Sequence, residues 1–192
     1  MLQYIAQPSD NYSIAEQAQM AIEGGCGWVI LRVPGMNESE LRDLATELVP
    51  LCKETGTILT LEDNPEMARE LGLHGVNVTR SCKYTPAQVR EMFGPEAIVG
   101  VEVQDVTAAL KLQNLDIDFV ILAMDAEKAM EGATALRKAE FTLPIVAQGE
   151  YSVEQLLPML ESGISGVAES KTILDADDPV AKTAEIIAAL KN

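Results

Sequence analysis

The chain has 192 residues, 47% of them apolar, and sets thirty acidic residues against fourteen basic ones for a net charge of −16. A chain this long is expected to fold around one core as a single domain spanning 1–192, and its acidity repels DNA and RNA, whose binding needs a basic patch. No run approaches the ~18 apolar residues of a membrane span, and the start, MLQYIAQPSD, enters an apolar strand without the basic region of a secretory leader.

The first apolar run, LQYIA at 2–6, reads as a strand and is followed by a polar turn and an amphipathic helical pattern. The same unit recurs at GWVILR (27–32), TILTLE (57–62), GVNV (75–78), AIVGVEV (97–103), IDFVILA (117–123), LPIVAQ (143–148) and GVAES (166–170). After the second strand, Asn37 or Ser39 caps a helix with Glu38 and Glu40 in its first turn. Leu41, Leu44, Ala45, Leu48 and Leu51 then recur at helical spacing, and Gly56 stops the helix. Asn64-Pro65 opens a short helix that Gly72 ends, and Thr85-Pro86 opens one that Gly94-Pro95 ends. Another runs from Ser152 to Gly163, and VAKTAEIIAALK closes the chain.

Eight such units predict an α/β fold of the closed (β/α)8 TIM-barrel type, because parallel strands need crossover helices and closure removes sheet edges. The loops must be short, since this fold usually takes ~250 residues. Cys26, Cys52 and Cys82 form an odd set without metal-ligand spacing and read as free thiols of a cytoplasmic protein.

In such a barrel the chemistry sits where the strands end. Those positions hold Arg32, Glu62 with Asp63, Asn77 with Arg80, Glu102 with Gln104 and Asp105, Asp125, Gln148 with Glu150, and Glu169 with Ser170 and Lys171. A carboxylate-rich mouth suits Mg²⁺, which takes one or two carboxylates plus substrate phosphate. The same acids also serve as helix caps, a role open to Asp63 and Asp105. Lys171 and Gly149 lie where barrels of this kind hold phosphate, although Glu150 opposes an anion there. The sole histidine, His74, precedes the fourth strand at the opposite end, so neither a Cys–His nor a Ser–His pair forms at the mouth.

The stretches LTLEDNPEMARELGLHGVNV, IVGVEVQD, LPIVAQG and GVAESKTILDADDPV resemble the thiamine phosphate synthase family and its thiazole tautomerase relatives, and the likeness covers nearly the whole chain. Synthases of that family join a pyrimidine pyrophosphate to a thiazole phosphate with Mg²⁺ and release pyrophosphate. The resemblance therefore implies a small phosphorylated metabolite as partner and Mg²⁺ as cofactor. It implies Arg32 and Asp63 as catalytic positions and Asp63 as a metal ligand; the carboxylates at the strand ends add Glu102 as a catalytic candidate and Glu62 as a second metal ligand, with Gly149, Ser170 and Lys171 around a phosphate.

The site departs from the family pattern at most cationic positions. The family's Gln-x-Arg-x-Lys falls on Ile30, Arg32 and Pro34, and its Asn-Asp on Glu62 and Asp63. Its second aspartate falls on Cys82, its histidine on Asn77 and its serine on Glu102. Its long loop after the sixth strand shrinks to MDAEKA, where Lys128 is a loose substitute, and its Gly-Gly turn becomes Gly149-Glu150. One lost preorganised donor costs ~3 kcal/mol of transition-state stabilisation, so synthase turnover is expected to be weak or absent. Two other readings stay open: a non-catalytic binding or regulatory barrel, with a homodimer among its assemblies, and an enzyme using Glu62, Asp63, Glu102 and Glu169 as acids, bases or metal ligands.

Overall fold

In the computed structural model, which describes residues 1–191, each apolar run becomes a strand. These are β1 (Leu2–Ala6), β2 (Trp28–Leu31), β3 (Ile58–Glu62), β4 (Gly75–Val78), β5 (Ile98–Val103), β6 (Phe119–Ala123), β7 (Ile145–Gln148) and β8 (Gly166–Glu169). Each lies parallel to the next, and β8 pairs with β1, which closes the barrel. The helices are α1 (Ile14–Glu23), α2 (Glu38–Thr55), α3 (Pro65–Glu70), α4 (Pro86–Phe93), α5 (Val106–Leu112), α6 (Ala126–Lys138), α7 (Val153–Glu161), α8 (Lys171–Leu174) and α9 (Pro179–Ala189). The four-residue α8 lies in a stretch where no helix was expected.

Capping follows the local chemistry. Of the two candidates for α2, Asn37 is the cap: its side chain accepts the Glu40 N–H, and the Glu40 carboxylate accepts the Asn37 N–H in return. Gly56 ends α2 in the left-handed conformation. Asn64 caps α3 through the Met67 N–H at 3.2 Å. Asp105 caps α5 and Asp125 caps α6, each accepting a backbone N–H three residues on.

Alternation along the strands sorts the apolar residues into two cores. One fills the barrel with Ile5, Trp28, Ile30, Phe119, Ile121 and Val146. The other packs the outward faces against the helices. Inside, the Trp28 ring meets Phe119 edge-on at 5.4 Å, and its Nε1–H donates to Thr60 Oγ1 at 3.1 Å. His74 sits at the far end of the barrel, where its Nδ1 accepts the Leu59 N–H at 3.0 Å.

Gly100 on β5 leaves the space that Phe119 fills. A Cβ there would lie 2.3 Å from the Phe119 ring, and inserting a methyl into such packing costs roughly 1–3 kcal/mol. Gly100→Ala is therefore expected to lower the melting temperature by about 3–10 °C. An unchanged thermal transition would contradict this picture of the inner core.

Candidate active site

Three strand ends meet at the centre of the mouth. Arg32 follows β2, Glu62 ends β3 and Gln148 ends β7. Arg32 Nε donates to both Glu62 oxygens at 3.0 and 2.8 Å, and Nη2 reaches Glu62 Oε2 at 2.8 Å. Nη2 also donates to Gln148 Oε1 at 2.9 Å. Both charged side chains are largely buried, with exposures of 24% and 17%, so water screens this pair less than a surface pair. Removing either partner leaves the other charge uncompensated.

This bridge separates two clefts. The larger, of about 480 Å³, is lined by Gln7, Asp125, Gly149, Glu150, Ser170 and Lys171. The smaller, of about 360 Å³, is lined by Thr79, Arg80, Ser81, Glu102 and Gln104. Arg32 and Gln148 belong to both walls.

On the side of the smaller cleft, Asp63 has φ of 60°, in the left-handed region that non-glycine residues seldom occupy. Its side chain does not cap α3, contrary to the cap role open to it from the sequence. It accepts the Thr79 N–H at 2.6 Å and the Thr79 hydroxyl, tying the end of β3 to the loop after β4. The Cys82 thiol donates to the Asp63 carbonyl at 3.7 Å, and burial pushes its pKa up. Glu102 is half-buried, and that burial, followed by the nearby Glu62 charge, raises its carboxyl pKa. Asn77 is buried with Oδ1 unpartnered. Arg80 is exposed on the cleft rim and forms no ion pair among the described residues. The sequence had put Arg80 at the mouth without a role, while Thr79 carried no local signal because its partner lies sixteen residues away.

The pair expected to hold Mg²⁺ does not fit that ion as it stands. Arg32 engages both oxygens of Glu62, and Thr79 engages both oxygens of Asp63. Among the described residues, no group of three or more His, Cys, Asp or Glu side chains is arranged to hold a metal. A cation at this pair would first have to displace protein partners.

On the side of the larger cleft, the expected residues converge in space but differ in what they offer. The Gly149 N–H donates to the Ala168 carbonyl at 3.2 Å, so it is not free for an anion. Glycine is required there for packing, because a Cβ would lie 2.7 Å from the Tyr151 hydroxyl, which donates to Met124 O at 2.8 Å. Ser170 precedes α8 with its Oγ buried and unpartnered. Lys171 extends from the rim, with Asp175 at 4.0 Å. Lys128 is exposed and pairs with Asp125 at 2.6 Å.

Glu169 is misplaced by the sequence reading. Ala168 and Ser170 line the cleft, whereas Glu169 alternates to the outer face of β8, beside Tyr4 in the β1–β8 register. It is 1% exposed, and neither carboxylate oxygen completes a hydrogen bond. Burial raises its pKa to about 7, against smaller lowering effects from the Thr172 hydroxyl, the Tyr151 amide and Lys182.

Two outcomes are expected. Below about pH 4.5 Glu169 is neutral in the folded and unfolded chains alike. Between there and about 7 only the unfolded chain ionises it, so the stability it contributes is lost as pH rises through that window. Glu169→Gln removes this loss, and its stability relative to the parent should rise by on the order of 3 kcal/mol between pH 5 and 8; a pH-independent difference in denaturation would contradict the assignment. Millimolar Mg²⁺ alone should leave the melting temperature unchanged, and a rise of several degrees would show that the carboxylates do release their partners.

The sequence profile described as thiamine monophosphate synthase matches residues 2–173. The thiamine-phosphate synthase of Bacteroides thetaiotaomicron is 33% identical, over 97% of this chain and 95% of that protein. The enzyme of the same name from Bacteroides fragilis is also 33% identical, over 97% and 98%. Among solved structures, the thiamine phosphate pyrophosphorylase of Pyrococcus furiosus superposes with a TM-score of 0.88 at 19% identity, covering 99% of this chain and 95% of that one. Fold, profile and close relatives agree, and the chain belongs to the thiamine monophosphate synthase family.

Proposed function

We propose that this single-domain barrel binds a small phosphorylated metabolite in the larger cleft, and that thiamine phosphate synthase turnover at its mouth is weak or absent. The observation that carries this reading is the Arg32–Glu62 pair. The arginine that would face a departing pyrophosphate donates instead to a carboxylate 2.8 Å away and to Gln148. The remaining cations of the mouth are exposed: Arg80 and Lys171 lie on different clefts, and Lys128 is paired with Asp125. Exposed charges gain little from Coulomb attraction in water.

Phosphate binding in the larger cleft is supported by the short helix α8 directly after β8, an arrangement that often holds phosphate in this fold. Ser170 and Lys171 would contact the anion, while Gly149 shapes the wall rather than donating. Asp63 would act as a clamp on the loop carrying Arg80. The acidic surface and three free thiols suit a reducing cytoplasm.

A second reading draws on Glu102. A half-buried carboxyl with raised pKa, next to Glu62 and Gln104, suits general acid–base work, with Arg32 orienting the ligand.

The test is to incubate the protein with pyrimidine pyrophosphate, thiazole phosphate and Mg²⁺ and to measure thiamine phosphate by chromatography. No product is expected above the level of Arg32→Ala and Asp63→Asn. Turnover that both variants abolish would overturn the proposal of weak chemistry. Phosphate monoesters should raise the melting temperature by a few degrees, and Lys171→Ala should remove most of that rise; an unchanged rise would put the ligand elsewhere.

A further inference from the structure

Behind the rim of the larger cleft lies a buried carboxyl, Glu169, that phosphate binding leaves without a task. The segment Ala168–Lys171 lines the cleft with Ala168, Ser170 and Lys171, while Glu169 points the other way. Both Glu169 oxygens and Ser170 Oγ are buried and unpartnered. The groups facing Glu169 are Tyr4 on β1, Glu150 and Tyr151 after β7, Thr172 on α8 and Lys182 on α9. None of them offsets its burial. Lys182 is paired with Glu185 at 2.8 Å, Lys171 has Asp175 as its partner, and Glu150 adds a like charge. A neutral acid is tolerated in such a place, whereas a carboxylate is uncompensated there.

An anion on Ser170 and Lys171 would bring a second negative charge to the opposite side of the same short segment. We infer that Glu169 couples anion binding in the larger cleft to the uptake of a proton, the bound anion and the neutral acid favouring one another. The inference rests on the proposed phosphate site. Its physical basis is like-charge repulsion across a partly dry boundary, and the coupling is reciprocal: whatever the anion does to the protonation of Glu169, that protonation does to the anion. Burial already holds the carboxyl at about 7, so the exchange falls within the physiological pH range. Two unit charges within one segment, at an intermediate dielectric, change affinity by about tenfold or more.

The test is calorimetric titration of the full chain with sulfate, whose charge is constant between pH 5.5 and 8.5, unlike that of phosphate. Affinity is expected to fall about tenfold across that range in the parent and to stay nearly flat in Glu169→Gln, with Lys171→Ala weakening binding at both ends. Sulfate that binds both proteins with the same pH slope would overturn the coupling and leave the phosphate site standing. Sulfate that fails to bind the parent at pH 5.5 would overturn the site and the coupling together. Should Glu169→Gln not fold, carboxyl carbon NMR of the labelled parent gives the same answer. The Glu169 midpoint should rise under saturating sulfate, and an unmoved midpoint contradicts the coupling.

Discussion

The bidentate contact between Arg32 and Glu62 organises the mouth of this barrel. It joins the ends of β2 and β3, reaches β7 through Gln148, and divides the space above the strands into two clefts. It also sets the electrostatics: the arginine is neutralised from within, and nearby Glu102 is held toward its neutral form by burial and by the Glu62 charge. The charge balance of the mouth is therefore set within the protein, by the pairing of Arg32 with Glu62.

Barrel closure makes that balance possible. Parallel strands in continuous register bring residues as distant as Arg32 and Gln148 within 2.9 Å, a separation of 116 positions in the chain. The inner core of Trp28, Phe119 and their aliphatic neighbours forms a solid floor beneath them, so the polar mouth stands on packed side chains rather than on a pore. The Asp63–Thr79 clamp adds a second constraint, holding a left-handed residue in place and fixing the loop that carries Arg80. Strain of this kind persists only where surrounding contacts impose it.

Much of this was readable from the chain. The periodicity placed β1 and β4 at their observed ends and the other strands within two residues, and the Asn37, Pro86 and Gly56 signals marked the helix boundaries. The positions lining the mouth followed from the rule that strand ends converge. Partnerships did not follow, because they join residues far apart in sequence. Nothing local tells Glu62 to meet Arg32, or Asp63 to meet Thr79 rather than cap α3. Helix α8 escaped notice because four residues carry too little pattern to stand out from a loop. Glu169 was the avoidable miss, since strict alternation from Ala168 to Ser170 puts the residue between them on the outer face.

The most direct measurement of the central claim, that Glu62 neutralises Arg32, is the affinity for inorganic pyrophosphate of the parent and of Glu62→Gln. Releasing the guanidinium from its carboxylate should tighten binding by about tenfold, with the gain lost when Arg32→Ala is added. Equal or weaker binding in Glu62→Gln would mean that Arg32 was never withheld from the ligand by its neighbour.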